Sequence, residues 1–161
     1  MLTEILDFDD RGNITPYQTV ELNLGDCYGA FVQNFVLSLT RRDLYENLVQ
    51  YRLDVFESVG ATFPQWLDGS FVTQKSDPED IDLVNLIPFD TTLDHKIESL
   101  LPYFTVGGSL EKYKIDAHLI PVYPKSDPRA ENMELRKTYF KRWFGHDREG
   151  HPKGFITITE P

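Results

Sequence analysis

The stretch Trp66–Leu86, WLDGSFVTQKSDPEDIDLVNL, combines a Gly-Ser turn with a predicted strand that carries two aspartates. Asp80 and Asp82 flank Ile81, so in an extended strand both carboxylates point to one face and Ile81 points to the other. Nine residues separate Ser70 from Asp80. Paired carboxylates are ligands of hard divalent cations such as magnesium. A Gly-Ser turn lets backbone N–H groups approach phosphate oxygens.

A later segment, Tyr113–Pro121 (YKIDAHLIP), supplies a third carboxylate. Asp116 lies between apolar neighbours and shares a strand face with His118. Two positions along a strand correspond to about 7 Å, so His118 is not an obvious ligand of the same metal. An acid cluster of this kind is needed where two metals hold a triphosphate for in-line displacement.

The order of these motifs resembles the signature of the nucleotidyltransferase superfamily related to DNA polymerase β. The signature consists of Gly69 and Ser70, then Asp80 and Asp82, then Asp116 between apolar residues. The resemblance implies an α/β protein with a minimal polymerase β palm-like fold, in which helices flank a mixed sheet.

Two flanking segments extend the resemblance over nearly the whole chain. They are FDDRGNITP at residues 8–16 and WFGHDREGHPKGFITI at residues 143–158. With them, the chain is similar to a small bacterial family of stand-alone nucleotidyltransferase-like proteins without an established role. Lys153, in the second segment, resembles a family feature for which a phosphate or substrate contact and a structural turn are both open.

The resemblance implies a role for each motif residue. Gly69 and Ser70 would bind the β- and γ-phosphates of a nucleoside triphosphate. Asp80 and Asp82 would hold two Mg²⁺ (or Mn²⁺) ions, and Asp116 would complete the metal site that activates an incoming hydroxyl. The implied reaction is attack of that hydroxyl on the α-phosphate, with release of pyrophosphate.

The length of 161 residues predicts a single domain. Residues 1–26 form an N-terminal arm, residues 40–121 a core, and residues 130–161 a C-terminal helix and strand. Strands are predicted at residues 63–67, 80–87, 113–121 and 155–159, and helices at residues 40–59, 93–104 and 130–144.

Two helix faces follow from apolar periodicity. On the first helix, a solvated face is predicted for Arg41, Arg42, Glu46, Gln50 and Arg52. On the last helix, the predicted buried edge consists of Leu135, Tyr139 and Trp143, with Phe140 as a further candidate. Lys75, in the loop after the Gly-Ser turn, is interpreted as a solvated side chain.

Composition limits the partners and the location. The net charge of -10 makes broad binding to duplex nucleic acid unfavourable, although residues 136–153 carry six Lys and Arg residues. No apolar run approaches the roughly 20 residues of a membrane span, and the N-terminus is acidic, so no membrane partner or leader is expected. The single Cys27 fits a reducing cytoplasm.

Three functions remain open from the sequence. The first is an enzyme that transfers a nucleotide from a nucleoside triphosphate to a hydroxyl on an unknown protein, nucleic acid or small molecule. The second is a catalytically weak nucleotide-binding or partner-regulating module of a toxin–antitoxin or phage-defence system, which would have a protein partner and a vestigial site. The third is RNA binding, with Tyr139, Trp143 and Phe144 stacking on bases. The helix periodicity favours a buried position for these aromatics instead.

Overall fold

A computed structural model describes residues 6–159. Within them the strands are β1 (Asp7–Phe8), β2 (Ile14–Thr15), β3 (Thr19–Glu21), β4 (Gln65–Asp68), β5 (Ile81–Pro88), β6 (Ile115–Val122) and β7 (Phe155–Ile158). The α-helices are α1 (Leu24–Tyr28), α2 (Arg41–Val59), α3 (Thr91–Leu100), α4 (Ser109–Tyr113) and α5 (Ala130–Phe144). None of these helices is both long and apolar enough to cross a membrane.

The main sheet has five strands in the order β3-β7-β4-β5-β6. It is mixed, because β5 pairs with β6 and β3 with β7 in parallel, whereas β4 pairs with β5 and with β7 antiparallel. The predicted α/β class with a mixed sheet between helices is therefore confirmed. The predicted strands all form, with ends that differ by one or two residues.

Helices pack on both faces of the sheet. One core cluster joins α2 to the sheet through side chains such as Leu48, Val55 and Leu83. The second cluster lies under α5 and includes Val84 and Phe144. Because β5 is buried on both faces, its sequence is apolar almost throughout instead of alternating.

The buried face of α5 differs in part from the prediction. Leu135, Tyr139 and Trp143 are exposed by 64%, 65% and 43%. Phe140, the further candidate, is buried as expected, and Met133 and Phe144 are buried with it against the sheet. Both sets follow helical spacing, so an aromatic-rich helix offers two apolar stripes. The sheet accepts only one of them.

The predicted solvated face of α2 is also wrong in part. Arg41 and Arg52 are almost fully buried, each with 1% exposure. Arg52 donates a hydrogen bond to the side-chain oxygen of Gln65. Arg41 donates to the backbone carbonyls of Phe31, Phe71, Thr73 and Lys75. Both guanidinium groups therefore point inward to oxygen acceptors instead of to solvent.

Candidate functional site

Three neighbouring strands bring carboxylates together at one edge of the sheet. In the strand register, Asp82 of β5 lies opposite Asp68 of β4 and opposite Asp116 of β6. Asp80 directly precedes β5, and the charges of Asp80 and Asp116 both act on Asp82. The structure therefore places the three aspartates of the sequence motif in one cluster.

The cluster faces a cleft of about 610 Å³. The turn at Gly69 and Ser70 borders this cleft, together with parts of the N-terminal arm, of the loop after Ser70 and of the C-terminal segment. Asp68, Asp80, Asp82 and Asp116 all line the cleft. The other lining residues are Asn13, Gly69, Ser70, Thr73, Lys75, Trp143, His146, Asp147, Arg148 and Lys153.

A second cleft of about 630 Å³ lies beside α1, away from the motif. Its charged lining consists only of Asp7 and Asp26, and the rest is apolar or amide. It therefore offers less for phosphate or metal chemistry than the smaller cleft at the carboxylate cluster.

Gly69 permits the close approach of the turn to the carboxylates. Its φ of +81° lies in the left-handed region, and a Cβ at this position would overlap Asp82 Oδ2. Only glycine lets the backbone pass over Asp82 here. Ser70 then begins a short 3₁₀ turn, Ser70–Val72, in which Phe71 and Val72 are buried.

Asp80 and Asp82 hold protons more tightly than free aspartates do. Burial raises the pKa of Asp82 to about 6, and repulsion from Asp80 and Asp116 adds to the shift. Burial, followed by the charges of Asp116 and Glu79, also raises the pKa of Asp80. Crowded carboxylates of this kind gain from a bound cation, which removes their mutual repulsion.

Asp116 has two close neighbours that the sequence did not assign. Thr105 donates its hydroxyl to Asp116 Oδ1, and His118 Nε2 lies 3.5 Å from the same oxygen. The interpretation of His118 as distant is wrong, because the two side chains lean toward each other along the strand. Burial lowers the pKa of His118, and the positive charge of Arg136 contributes to this shift.

Lys153 reaches the cleft, but as the partner of a buried carboxylate. Its Nζ lies 2.8 Å from Asp68 Oδ1, and both side chains are less than 10% exposed. Burial raises the pKa of Asp68 to about 7 even though Lys153 opposes the shift. Sequence reasoning missed Asp68, although its position directly before Gly69 was a usable signal.

The other basic residues divide into two groups. Lys137 pairs with Glu134 at 3.9 Å, and Lys141 Nζ lies 5.8 Å from the centre of the Trp66 ring, so neither lines the cleft. Arg148 and Lys75 do line it, and both are exposed. Lys75 is solvated, as the sequence predicted, but it also lines the cleft, which the sequence interpretation did not include.

Arg41 holds the loop that follows Ser70. Its guanidinium donates to the carbonyls of Phe71 at 2.6 Å, Thr73 at 2.7 Å and Lys75 at 2.5 Å, and also to the carbonyl of Phe31. Burial lowers the pKa of this guanidinium to about 10, so it remains charged at neutral pH. One side chain of α2 therefore holds the backbone of residues 71–75, the loop that borders the cleft.

The donor set suits a hard divalent cation in its chemistry. It consists of carboxylate oxygens around one cleft, and the pKa values of Asp80 and Asp82 are raised by crowding and burial. Across residues 6–159, no three Asp, Glu, His or Cys side chains stand ready in a metal-ligating arrangement.

Cys27 lies in the core, and burial raises the pKa of its thiol to about 12. A thiol held protonated in this way is a poor nucleophile.

Neither the curated proteins nor the solved structures compared with the chain give a match. One family model, described as a family of unknown function (DUF6932), matches residues 6–159, and the chain therefore belongs to that family.

Proposed function

We propose that this protein is a metal-dependent nucleotidyltransferase with a polymerase β palm-like core. The observation that carries the proposal is the register of β4, β5 and β6. It sets Asp82 beside Asp68 and Asp116, directly under the Gly69 turn. The substrate is a nucleoside triphosphate, and the acceptor is a hydroxyl group.

In this proposal Asp80, Asp82 and Asp116 hold Mg²⁺ or Mn²⁺. The bound metal would supply charge to neutralise the phosphates and to lower the pKa of the incoming hydroxyl. Ser70 and the backbone N–H groups of its turn bind the terminal phosphates. Lys75 and Arg148, which are exposed at the cleft, add positive charge toward the triphosphate.

The reaction is an in-line displacement. The acceptor oxygen attacks the α-phosphorus and forms a new phosphoester bond. The bond from the α-phosphorus to the oxygen that bridges to the β-phosphate breaks, and pyrophosphate leaves with the electron pair. The hydroxyl proton passes to the carboxylate of Asp116. Arg41 and Gly69 act as positioning residues, because they fix the loop and the turn that face the phosphates.

Thermal unfolding with nonhydrolysable triphosphate analogues tests this proposal. Because such a ligand binds only the folded state, we expect magnesium plus one of the four common analogues to raise the Tm of the wild-type protein. Asp82→Asn should abolish the shift. Glu79→Gln should keep it, because that neighbouring carboxylate is exposed and lies outside the cleft. No shift with any analogue, or the same shift in Asp82→Asn, would contradict the proposal.

A nucleotide-binding module with weak turnover is the second candidate. It is favoured by one observation, namely that no metal-ligating arrangement is ready within residues 6–159. The two candidates differ in pyrophosphate release. The enzyme releases pyrophosphate when magnesium, a triphosphate and an acceptor are supplied, whereas the module binds the same triphosphate without release.

A further inference from the structure

The exposed face of α5 carries an apolar stripe that ends at the cleft. Leu135, Tyr139 and Trp143 are spaced four residues apart, so they lie on one side of the helix. All three are exposed, and Trp143 also lines the cleft that holds the carboxylates. The stripe spans about 12 Å along the helix axis.

The rings of the stripe form a continuous path to Asp116. The centres of the Tyr139 and Trp143 rings are 6.3 Å apart, and the Trp143 ring stacks on Phe140 at 5.6 Å. His118 packs edge-on against Trp143 at 5.7 Å and lies 3.5 Å from Asp116. Asp116 is the carboxylate that receives the acceptor proton in the proposed function. A molecule lying on the stripe would therefore present its end to that carboxylate.

The charge around the stripe is opposite to that of the chain as a whole. Residues 136–153 contain six Lys and Arg residues and two acidic residues, in a chain of net charge -10. Among the ion pairs of residues 6–159, none involves Arg136, Arg142 or Arg148. Arg148 lines the same cleft as Trp143, and Arg136 follows Leu135 at the other end of the stripe, so positive charge is present at both ends.

We propose that this face of α5 binds a single-stranded nucleic acid and presents its terminal hydroxyl to the site as the nucleotide acceptor. The proposal rests on the proposed function, because it names the acceptor of the same reaction. Exposed aromatic rings stack on bases of any sequence, and free guanidinium groups contact the phosphates between them. A duplex is a poorer occupant, because its bases are stacked on each other and the rest of the protein surface is acidic.

The charge beside the stripe favours a nucleic acid over a protein partner. Aromatic side chains are common in both kinds of interface. Arg136, Arg142 and Arg148, however, form no ion pair within residues 6–159, and these positive charges match an anionic strand. RNA and DNA strands share the ring and phosphate chemistry that this face recognises, and they differ at the 2′-hydroxyl.

Fluorescence anisotropy on the full chain, without metal or triphosphate, tests the binding step. The probes are a strand of about 12 nucleotides with a 5′-fluorescein and a free 3′-hydroxyl, in RNA and DNA forms, and a duplex of the same length. We expect at least one single strand to bind better than the duplex. Trp143→Ala and Tyr139→Ala should each weaken that binding by about 5- to 150-fold. Trp143→Phe, which keeps a stacking ring, should stay within about threefold of the wild type.

Matched controls separate the stripe from general effects. Leu53→Ala removes an equally exposed apolar side chain from α2 and should leave binding unchanged. Arg148→Ala should lower the slope of log Kd against log salt by about one, whereas Arg42→Ala on α2 should not change it. Circular dichroism of each variant verifies that it is folded.

The outcomes for the two proposals are separable. Asp82→Asn should lose binding of the magnesium–triphosphate analogue and keep binding of the strand. If the wild-type chain binds the triphosphate analogue but no single strand, or if α5 variants bind the strand like the wild type, the inference is overturned and the proposed function stands. If the strand binds through α5 but the analogue does not bind, the proposed function fails alone. Extension of the strand only when its 3′-hydroxyl is present would establish its role as acceptor.

Discussion

At the scale of single residues, Asp82 has the central position in the site. It lies between carboxylates of both neighbouring strands and under the turn at Gly69. In the absence of a cation this arrangement is unfavourable, because a buried carboxylate loses its hydration and is repelled by Asp80 and Asp116. The free energy of unfolding of the metal-free protein should therefore be lower than it would be without this cluster of charges.

The first prediction concerns the pH dependence of stability. The pKa of Asp82 is about 6 in the folded protein and about 3.9 in an unfolded chain. The folded state thus binds the proton more tightly, so the stability that protonation contributes is present below about pH 4 and is lost as the pH rises through about 6. At pH 8, metal-free Asp82→Asn should be more stable than the wild type by about 1–3 kcal/mol.

Urea unfolding at pH 4 and at pH 8 measures this effect. The difference in unfolding free energy between Asp82→Asn and the wild type should be small at pH 4, where the wild-type carboxyl is protonated. Glu79→Gln serves as the control, because its carboxylate is exposed and adjoins the same cluster. An Asp82→Asn variant less stable than the wild type at pH 8 would contradict the account.

The second prediction concerns Gly69. Gly69→Ala introduces a Cβ against Asp82 in addition to a strained left-handed φ. Gly150 has a similar φ of +83°, but a Cβ there would meet nothing within 4 Å. Gly69→Ala should therefore lower the free energy of unfolding by about 1–3 kcal/mol more than Gly150→Ala does. Equal losses of unfolding free energy in the two variants, measured by urea unfolding, would show that a Cβ at position 69 does not clash with Asp82.

The third prediction concerns the hydrogen bonds of Arg41. Lysine at this position keeps the charge but cannot reach the group of carbonyls that the guanidinium satisfies. Arg41→Lys should lower the free energy of unfolding by about 2–4 kcal/mol and weaken binding of the triphosphate analogue. Arg42→Lys, one residue along and exposed, should change stability by less than about 0.5 kcal/mol. Titration calorimetry with the analogue checks the binding effect.

The carboxylates that the sequence identified differ in kind from the residues it missed. Asp82 and Asp116 stand out because each interrupts an otherwise apolar strand, and Asp80 stands out because it directly precedes one. Asp68 has a local signal in its position before Gly69, whereas Arg41 looks like an ordinary surface residue; for neither does the local sequence show the buried partner. Their partners, Lys153 and the loop carbonyls, come from distant parts of the chain.

At the scale of elements, the position of β7 determines how the C-terminal segment reaches the site. This strand lies inside the sheet, between β3 and β4, although it is the last strand along the chain. Its pairing with β4 sets the preceding Lys153 beside Asp68, the last residue of β4. Periodicity predicted the strand itself, but strand order depends on long-range pairing that a single sequence does not encode locally.

The fourth prediction tests this internal position. Ile156 of β7 is fully buried, whereas Thr157 beside it is partly exposed. Ile156→Ala should reduce the free energy of unfolding by about 2–5 kcal/mol, because it leaves a cavity in the main core. Thr157→Ala should stay within about 1 kcal/mol of the wild type. A small loss for Ile156→Ala in urea unfolding would mean that β7 packs as an edge strand.

Helix α5 illustrates the limit of periodicity at this scale. The sequence predicted the bounds of the helix correctly, but of its predicted buried edge only the further candidate, Phe140, is buried. Met133, Phe140 and Phe144 also follow helical spacing and pack on the sheet, so periodicity alone does not separate them from Leu135, Tyr139 and Trp143. The exposure of Leu135, Tyr139 and Trp143 matters for the proposed strand binding, because Trp143 lines the cleft.

At the scale of the whole molecule, three separate parts of the chain build the cleft. The β4–β5–β6 unit supplies the carboxylates, and the C-terminal segment supplies Lys153 and Arg148. The N-terminal arm contributes Asn13, which donates to Asp147 at 2.9 Å and so joins the arm to the C-terminal turn. The cleft thus combines the carboxylate cluster with the positive charges of Lys153 and Arg148.

The central claim is that Asp80, Asp82 and Asp116 hold the cation of a bound triphosphate. Its most direct test is a crystal structure with Mn²⁺ and a nonhydrolysable triphosphate analogue, in which anomalous scattering locates the manganese. The account predicts an anomalous peak within coordination distance of the carboxylates of Asp82 and at least one of the other two aspartates, with the phosphates against Ser70. Manganese and analogue bound elsewhere, with these carboxylates uncoordinated, would contradict it.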